Sequence, residues 1–318
     1  MDRSSATHAD AGSPTPRREP VSREQAWSLL RALALQVERD VIAHDGAALC
    51  LDEAGRLRTA AGHDGWIVAR PESERGWDAC EAVSTGAAEL FDLYAPLCVG
   101  ARAARLVLAH LGQSLDGRVS VAQNASRFIT GREDVEHTHR LRALFDAVMI
   151  GAETAAVDDP HLTTRLVPGA QPVRVVLDPR ARLDHALRVF SDGEADTIAV
   201  TGTGHGARHR VLAPRVHVIE APLADGCFVL PRVLDALAER GLGRVFIEGG
   251  GVTVSRFLDA RLLDRLHLTV VPRNVGDGAP GVALRPTRDL AAIPHVRARR
   301  FALGGDVLFD CDLGRDAV

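Results

Sequence analysis

The chain has 318 residues, 46% of them hydrophobic, and a formal net charge of −4. These values suit one large domain, or one medium domain with an attached segment, and they exclude a polybasic surface for nucleic acid and an acidic tail. No apolar run is long enough to span a membrane. All 38 basic residues are arginine, which excludes a mechanism built on a lysine Schiff base.

The N-terminus and the cysteines indicate where the protein works. Residues 1–20 are rich in Ser, Pro, Ala and charge and lack an apolar core, which predicts a disordered tail and not a secretory signal. The five cysteines are scattered, with no C-x-x-C pair. This pattern favours reduced thiols in a cytoplasmic protein over disulfides or a zinc site.

Residues 21–100 are predicted to form a small α+β extension of unknown role. A helix is predicted over "SREQAWSLLRALALQVERDVIA", with Ser22 as the N-cap and Gln25 completing a capping box. Two short strands are predicted about a turn near Glu53–Gly55. The stretch "STGAAELFDLYAPLCV" predicts a second helix that ends before Pro96.

Residues 101–318 are predicted to form an α/β domain. Near-continuous Val, Ile and Leu runs alternate with helical stretches, which predicts a mainly parallel sheet with helices on both faces. The strands from "LHLTVV" to "VLFDCDL" have no clear helix between them, so an antiparallel pair is expected beside the parallel core. The predicted strands are ARLVLAHLG, DAVMIGA, VRVVLD, TIAVTG, RVHVIEA, RVFIEG, RLHLTVVP and DVLFDCDL, and the predicted helices are REDVEHTHRLRALF, LPRVLDALAERGL and SRFLDARLLD.

Three consecutive glycines, 249–251, join the strand "VFIE" to an amphipathic helix. A glycine-rich turn before a helix lets backbone amides and the helix dipole meet a phosphate. The spacing is not G-x-G-x-x-G, so a structural turn and a phosphate site are equally compatible with these residues.

Other polar motifs are ambiguous when taken singly. "SLDGR", residues 114–118, predicts a turn. Asp158 and Asp159 before Pro160 either stop a helical turn or cap a turn that presents polar groups at a strand's carboxyl end, and the capping role is favoured. His137 and His139 have i, i+2 spacing, which makes them poor joint metal ligands and predicts solvent-exposed polar residues.

Four segments in this order resemble the RibD reductase-domain family, the pyrimidine reductase of riboflavin biosynthesis. They are "LGQSLDGRVSVAQNASRFIT", "HRLRALFDAVMIGAETAAVDDPHLTTR", "PVRVVLDPRARL" and "VFIEGGGVTVSRFLDARLLDRLHLTVVP". The resemblance covers about residues 104–312 and implies a dihydrofolate-reductase-like fold. It implies NADPH-dependent reduction of the ribosyl group of 5-amino-6-(5-phosphoribosylamino)uracil to a ribityl chain. It also implies a homodimer that acts on a phosphorylated small molecule, with no nucleic-acid or membrane partner.

The resemblance assigns site residues by position. Glu248 is the candidate for assisting protonation or for holding the sugar hydroxyls. The residues implied to bind substrate are Ser126, Arg142, Leu162, Arg165 and Glu248. The residues implied to bind cofactor are Gly112, Phe128, Thr154, Asp158, Gly250, Gly251, Val252, Thr253, Val254, Ser255 and Arg256. In "DPRARL", Arg180 and Arg182 follow a strand end where the 2′-phosphate of NADPH could lie.

The sequence also departs from the family pattern. Glu153 stands where Gly is common, His110 where Lys is frequent, and Pro179 where Ser is frequent. The motifs H-x-E and P-C-x-x-C of the zinc deaminase that precedes many relatives are missing, so neither the deamination nor a zinc requirement is expected.

Two alternatives stay open on the sequence. The first keeps the fold and cofactor but changes the substrate to a pterin or a pathway-specific pyrimidine. The second is a non-catalytic nucleotide-binding protein. Retention of the polar candidates together argues against the second: they are Ser126, Arg142, Arg165, Asp158 and Glu248.

Overall fold

The computed structural model of the chain describes residues 19–37, 46–60, 65–99, 105–121, 129–213, 215–286 and 296–314. Two site candidates, Ser126 and Phe128, and most of the predicted N-terminal tail lie outside these ranges. Among the helices within them, none has the length and apolar character needed to cross a membrane.

The N-terminal segment contains two helices and a small antiparallel sheet. Its elements are α1 (Arg23–Val37), β1 (Ala48–Leu51), β2 (Leu57–Ala60), β3 (Ile67–Ala69), β4 (Trp77–Ala79) and α2 (Thr85–Cys98), with strand order β2-β1-β3-β4. The predicted capping box is present, because the Ser22 amide donates to Gln25 Oε1 at 2.8 Å and the Gln25 amide donates to Ser22 Oγ at 3.2 Å. The predicted hairpin is also present, with its turn between β1 and β2.

The prediction that the second helix ends before Pro96 is wrong. Helix α2 continues through Pro96 to Cys98. Proline in the last turn removes one helical hydrogen bond, but Leu97 and Cys98 are buried in the core and the Leu97 carbonyl accepts from Arg244 Nη1 at 3.0 Å. These tertiary contacts offset the local preference to end the helix.

The remaining elements build the α/β domain. The strands are β5 (Leu106–Ser114), β6 (Ala147–Gly151), β7 (Val173–Leu177), β8 (Thr197–Gly202), β9 (His217–Ala221), β10 (Leu223–Ala224), β11 (Cys227–Phe228), β12 (Arg244–Glu248), β13 (Arg265–Val271), β14 (Arg297–Leu303) and β15 (Asp306–Asp312). The helices are α3 (Arg132–Leu144), α4 (Ala152–Asp158), α5 (Arg188–Ser191), α6 (Ala207–Leu212), α7 (Leu230–Ala238) and α8 (Gly251–Asp259).

The nine-stranded sheet has the order β14-β15-β13-β5-β12-β6-β7-β8-β9. The strands from β13 to β9 are mutually parallel, while β15 runs antiparallel to both β13 and β14. This confirms the predicted mixed, mainly parallel sheet with an antiparallel pair at one end. Strand β14, "RARRFAL", was not predicted, because a charged edge strand lacks the apolar run that marks a buried one.

The N-terminal segment shares one hydrophobic core with a face of the large sheet. Its buried residues Leu30 and Phe91 belong to the same apolar cluster as Phe246 of β12. Polar contacts also join the two parts, since Trp27 Nε1 donates to the Pro168 carbonyl at 2.9 Å. Residues 21–99 therefore cover the sheet as a second layer would.

The prediction that His137 and His139 are solvent-exposed is wrong. Both are buried: His137 lies between Tyr94 of α2 and His267 of β13, and the His139 ring packs against the backbone of the loop at Arg165. Tyr94 of α2 lies with its hydroxyl 2.6 Å from His137 Nδ1, and His137 Nε2 lies 3.0 Å from His267 Nδ1. Burial lowers the pKa of both His137 and His267, so this polar chain is neutral inside the core.

We expect the N-terminal segment and the α/β domain to unfold together. Leu30→Ala empties part of the shared core and should lower the free energy of unfolding by about 2–5 kcal/mol. All three tryptophans, at positions 27, 66 and 77, lie in the N-terminal segment. Tryptophan fluorescence therefore follows this segment while far-ultraviolet circular dichroism follows the whole chain, and the two urea transitions should coincide.

Leu35→Ala is the matched control for this substitution. Leu35 lies on the same helix but is 55% exposed, so its truncation should change the stability by less than about 0.5 kcal/mol. A fluorescence transition separated from the dichroism transition would show that residues 21–99 form an independent unit.

Candidate active site

A cavity of about 1210 Å³ lies at the carboxyl ends of β6, β7 and β12, with α3 along one side. Open α/β sheets bind ligands at such strand ends. Most of the described candidates line this cavity: Gly112, Arg142, Thr154, Asp158, Leu162, Arg165, Glu248, Gly250, Gly251, Val252, Thr253 and Arg256. Residues that were not predicted as site residues line it as well, namely His110, Asp134, Thr138, His139 and Asp178.

Two cofactor candidates do not reach this cavity. Val254 is fully buried within the apolar core. The Ser255 hydroxyl donates to the Gly251 carbonyl at 2.6 Å and accepts from the Ala283 amide at 2.9 Å. These two side chains lie on other faces of α8, toward the core and toward Ala283, whereas Val252, Thr253 and Arg256 face the cavity.

The Arg142–Glu248 pair joins α3 to the end of β12. Arg142 Nε donates to Glu248 Oε2 at 2.8 Å and Nη2 donates to Oε1 at 2.6 Å, while Nη1 donates to the Thr163 carbonyl at 2.8 Å. Only 7% of the Arg142 side chain and 19% of the Glu248 side chain are exposed. Arg142 therefore pairs with a carboxylate on a distant strand, while Glu136 on its own helix pairs with Arg140.

This pairing limits what each partner does in the cavity. Ionised Glu248 accepts hydrogen bonds and has no proton to donate. Arg142 has five N–H donors, and three of them are used by Glu248 and Thr163. Glu248 is therefore suited to hold hydroxyl groups of a ligand, and Arg142 chiefly holds Glu248 in place.

The loop after α4 carries the second arginine. Asp159 ends α4 in the left-handed conformation, with φ at 41°, and its Oδ1 accepts from the Arg188 amide at 2.7 Å. Leu162 is buried with φ at 56°, a backbone conformation that is strained for a branched side chain. Arg165 is exposed, and Nη1 donates to Thr163 Oγ1 at 2.7 Å. The loop thus combines a helix cap with an arginine that faces solvent.

His139 is neutral in the cavity wall. Its Nδ1 accepts from the Arg165 amide at 2.9 Å. Burial, together with the charges of Arg142 and Arg165, lowers the pKa of His139 to about 4. At neutral pH this histidine is therefore a fixed acceptor for the loop backbone and does not supply protons.

His110 has the opposite environment at the cavity floor. Its Nε2 lies 3.0 Å from Asp134 Oδ1, and both side chains are almost fully buried. Burial alone would lower the pKa of His110, but the charge and hydrogen bond of Asp134 raise it above its ordinary value, with a smaller contribution from Glu248. The site thus contains one histidine biased toward the neutral form and one biased toward the charged form.

The three glycines are required by the turn itself. Gly249 and Gly250 have φ values of 64° and 69°, in the region that favours glycine. At Gly251 a Cβ atom would lie 2.3 Å from the Gly281 carbonyl oxygen, so no side chain fits. The N-cap of α8 is Gly250, which makes no side-chain cap, so the helix begins with its first amides uncapped beside the cavity.

The mainly parallel sheet with a cavity at its strand ends is the arrangement in which α/β domains bind small molecules. The RibD C-terminal domain family matches residues 105–301, and the chain belongs to this family. It is similar to riboflavin biosynthesis protein RibD of Aquifex aeolicus, with 34% identity over 167 residues, which are 52% of this chain and 46% of that protein.

Two further comparisons agree with this assignment. The chain is 34% identical over 173 residues to the 2,5-diamino-6-ribosylamino-4(3H)-pyrimidinone 5′-phosphate reductase of Methanothermobacter thermautotrophicus, covering 54% of this chain and 79% of that one. A solved diaminohydroxyphosphoribosylaminopyrimidine deaminase/5-amino-6-(5-phosphoribosylamino)uracil reductase from Thermotoga maritima has a TM-score of 0.54 and 25% identity, covering 73% of this chain and 64% of that one. The chain thus spans about half the length of the Aquifex RibD protein.

The Arg142–Glu248 pair should behave as one coupled unit. Arg142→Met leaves the Glu248 carboxylate without its partner and should destabilise the protein by about 3 kcal/mol, the lower end of the range for breaking a buried pair. The double variant Arg142→Met/Glu248→Gln should cost less than the sum of the two single variants. Urea unfolding of the four proteins at neutral pH measures the coupling.

Arg105→Met is the control for removing an arginine. Arg105 pairs with Asp235 at 3.0 Å, but both side chains are about half exposed, so the loss should stay below about 1 kcal/mol. Strict additivity of the two cavity substitutions would mean that the pair contributes nothing to the fold.

Proposed function

We propose that this chain is an NADPH-dependent reductase of riboflavin biosynthesis that converts the ribosyl group of 5-amino-6-(5-phosphoribosylamino)uracil to a ribityl chain. The observation that carries this proposal is that one cavity brings together the described substrate candidates and most of the described cofactor candidates. Arg142, Leu162, Arg165 and Glu248 line one part of it, and the glycine turn before α8 lines another. The names of the relatives, which are RibD proteins and pyrimidinone phosphate reductases, support the same reaction class.

The residues around the glycine turn fit a dinucleotide phosphate. A Cβ on Gly250 would lie 2.8 Å from Thr154 Oγ1. Because glycine has no Cβ, the backbone of this turn is accessible to a ligand. The uncapped first amides of α8 and the helix dipole favour a negative charge there. Arg180 and Arg182 also line the cavity, after the end of β7, and would select the 2′-phosphate of NADPH. When bound, the reduced nicotinamide supplies a hydride.

The phosphate of the substrate is assigned to Arg165. This side chain is exposed and its described hydrogen bond uses one of five donors. Arg142 contributes its remaining N–H groups from the cavity wall, and Ser126, outside the described residues, is proposed as a hydroxyl donor. Glu248, held by Arg142, accepts from the sugar hydroxyls and so orients the reacting carbon.

The second candidate substrate is a related pyrimidine. The archaeal relative named for 2,5-diamino-6-ribosylamino-4(3H)-pyrimidinone 5′-phosphate is covered over 79% of its length, more than the Aquifex RibD protein. This favours testing the diaminopyrimidinone beside the uracil compound. Both substrates carry the phosphate and the ribosylamino group, so the proposed roles of Arg165 and Glu248 apply to either.

Arg165→Ala should impair use of the phosphorylated substrate and spare the cofactor. Loss of this contact is expected to lower kcat/KM by the equivalent of about 2–5 kcal/mol, with the Kd for NADPH almost unchanged. Arg180→Ala should do the reverse, weakening NADPH binding. The measurement is NADPH oxidation with each phosphorylated pyrimidine, its dephosphorylated form and dihydrofolate, together with calorimetric titration of NADPH.

The parent enzyme decides between the substrates in the same assay. Equal use of the phosphorylated and dephosphorylated pyrimidine would exclude a phosphate site at Arg165. Turnover of dihydrofolate alone would favour the pterin substrate, and NADPH binding without any turnover would favour the non-catalytic alternative.

Gly250→Val should weaken NADPH binding more than it lowers the melting temperature. A branched side chain at this positive φ crowds Thr154 and blocks the approach of phosphate to the backbone. Gly241→Asn is the control, because Gly241 also has a positive φ and open space around its Cβ position but lies away from the cavity, and Asn tolerates this conformation. Normal NADPH affinity in a Gly250→Val protein that melts earlier would mean that the turn is structural only.

A further inference from the structure

Reduction of a ribosylamino group consumes a proton as well as a hydride. The ring-opened form of the sugar has a C1′=N bond, and its conversion to an amine forms one C–H and one N–H bond. Both carboxylate oxygens of Glu248 accept from Arg142, and His139 is neutral with a pKa of about 4. These two residues beside the proposed sugar site therefore do not provide the proton.

His110 lies next to Glu248 in the sheet. Strand β5 pairs in parallel with β12, with His110 and Glu248 directly opposite each other, and the Gly249 amide donates to the His110 carbonyl at 3.1 Å. The His110 side chain lines the same cavity as Glu248 and the glycine turn. The imidazole of His110 therefore lies in the part of the cavity to which we assign the reacting sugar carbon.

The two imidazole nitrogens of His110 have different surroundings. Nε2 lies 3.0 Å from Asp134 Oδ1 and 3.3 Å from Thr269 Oγ1, and Thr269 itself donates to Asp134 at 2.5 Å. Nδ1 has one neighbour among the described residues, Thr138 Oγ1 at 3.5 Å, a long contact. Asp134 thus anchors the ring through Nε2, and the proton on Nδ1 is held only weakly.

We propose that His110, anchored by Asp134, is the acid that supplies the proton of the reduction. This inference rests on the proposed function. With a reduced nicotinamide bound as the hydride donor, the Nδ1 proton of His110 would pass to the nitrogen of the C1′=N bond. One C–H and one N–H bond would replace the π bond, and the two electrons would come from the cofactor. Neutral His110 then takes a proton from water after the product leaves.

The charges around His110 favour the protonated ring. Asp134 of α3 and Glu248 of β12 are the carboxylates that face it, and Glu248 is largely compensated by Arg142. His137, whose ring centroid lies 5.2 Å away, and His267 of β13 are neutral, because burial lowers their pKa. Asp134 has a lowered pKa although it is buried, since the charge and hydrogen bond of His110 and the hydroxyl of Thr269 counteract the burial. His110 is therefore charged below a pKa that lies above its ordinary value.

Asp134, in contrast, is a positioning residue. Its carboxylate orients the ring and holds the charge on it, in the manner of a carboxylate that supports a catalytic histidine. In Asp134→Asn the ring keeps a hydrogen-bonding neighbour of the same size but loses the negative charge. The pKa of His110 should then fall, by about one to three units.

The experiment combines kinetics with a titration of the cofactor-free protein. Because the acid must be protonated, kcat of the parent should be constant at low pH and fall as the pH rises through the pKa of His110, above 6.5. His110→Gln should lower kcat at pH 7 by about 100-fold or more and abolish this falling limb, with KM for NADPH unchanged. Asp134→Asn should move the limb to lower pH.

Nuclear magnetic resonance of protein labelled with ¹⁵N-histidine reads His110 without any turnover. The signal missing in His110→Gln identifies it, and its titration midpoint should match the kinetic limb of the parent and shift down in Asp134→Asn. His217→Gln is the control, because His217 is exposed on β9 away from the cavity and should change neither readout.

The possible results separate the role of His110 from the proposed function. An active parent with the same falling limb in His110→Gln would overturn the role of His110 while leaving the proposed function intact, as would a His110 midpoint below 6. A parent that does not reduce either pyrimidine would remove the proposed function and this inference with it. If His110→Gln does not fold, the kinetics of Asp134→Asn decide: a falling limb that moves to lower pH supports the role of His110, and a limb that stays in place overturns it.

Discussion

The bidentate pair between Arg142 and Glu248 is the contact on which the arrangement of the cavity depends. It connects a helix to the end of a central strand across 106 positions of the chain, and it is mostly shielded from water. Because the pair is shielded, its Coulomb energy is greater than that of an exposed pair, but each partner becomes costly to leave alone. The pair therefore fixes the position of α3 relative to β12 and determines what either side chain is able to offer to a ligand.

The division of roles among the other polar residues follows from this constraint. Glu248 accepts hydrogen bonds from Arg142, and most N–H groups of Arg142 are already bonded. We therefore assign the substrate phosphate to Arg165 and the proton to His110. The two cavity histidines also differ in the protonation state that their surroundings favour. His139 lies beside two guanidinium groups and is neutral, whereas His110 lies beside a carboxylate and is biased toward the cation. Environments that separate the pKa values of like residues are a mark of acid–base sites.

The N-terminal segment contributes to the site indirectly. Helices α1 and α2 cover α3, the helix that carries Asp134, Thr138, His139 and Arg142. The Tyr94 hydroxyl reaches His137, whose ring stands edge-on to that of His110. A packed layer over α3 excludes water from these polar contacts, which strengthens them and fixes their geometry. This segment thus acts as part of the scaffold of the cavity, although none of its described residues lines it.

Most strands and the local turn and capping features could be predicted from the sequence. The apolar runs predicted β5–β9, β12, β13 and β15, and the capping box at Ser22 and the glycine run before α8 appear where their residue types require them. These features depend on neighbours within a few positions, so hydrophobic period and turn preference are sufficient to find them.

The tertiary structure decided the electrostatics of the cavity. Insertion of β12 between β5 and β6 brings Glu248 beside His110 and under Arg142. Helix α2 covers His137, and the loop at Arg165 covers His139. No local pattern contains this information, because a charge pair or a pKa depends on which distant segments meet and on how much water they exclude. The sequence by itself thus determined the elements and the candidate residues, and the order of the strands with the packing of α1 and α2 determined which of those residues are acceptors, anchors or acids.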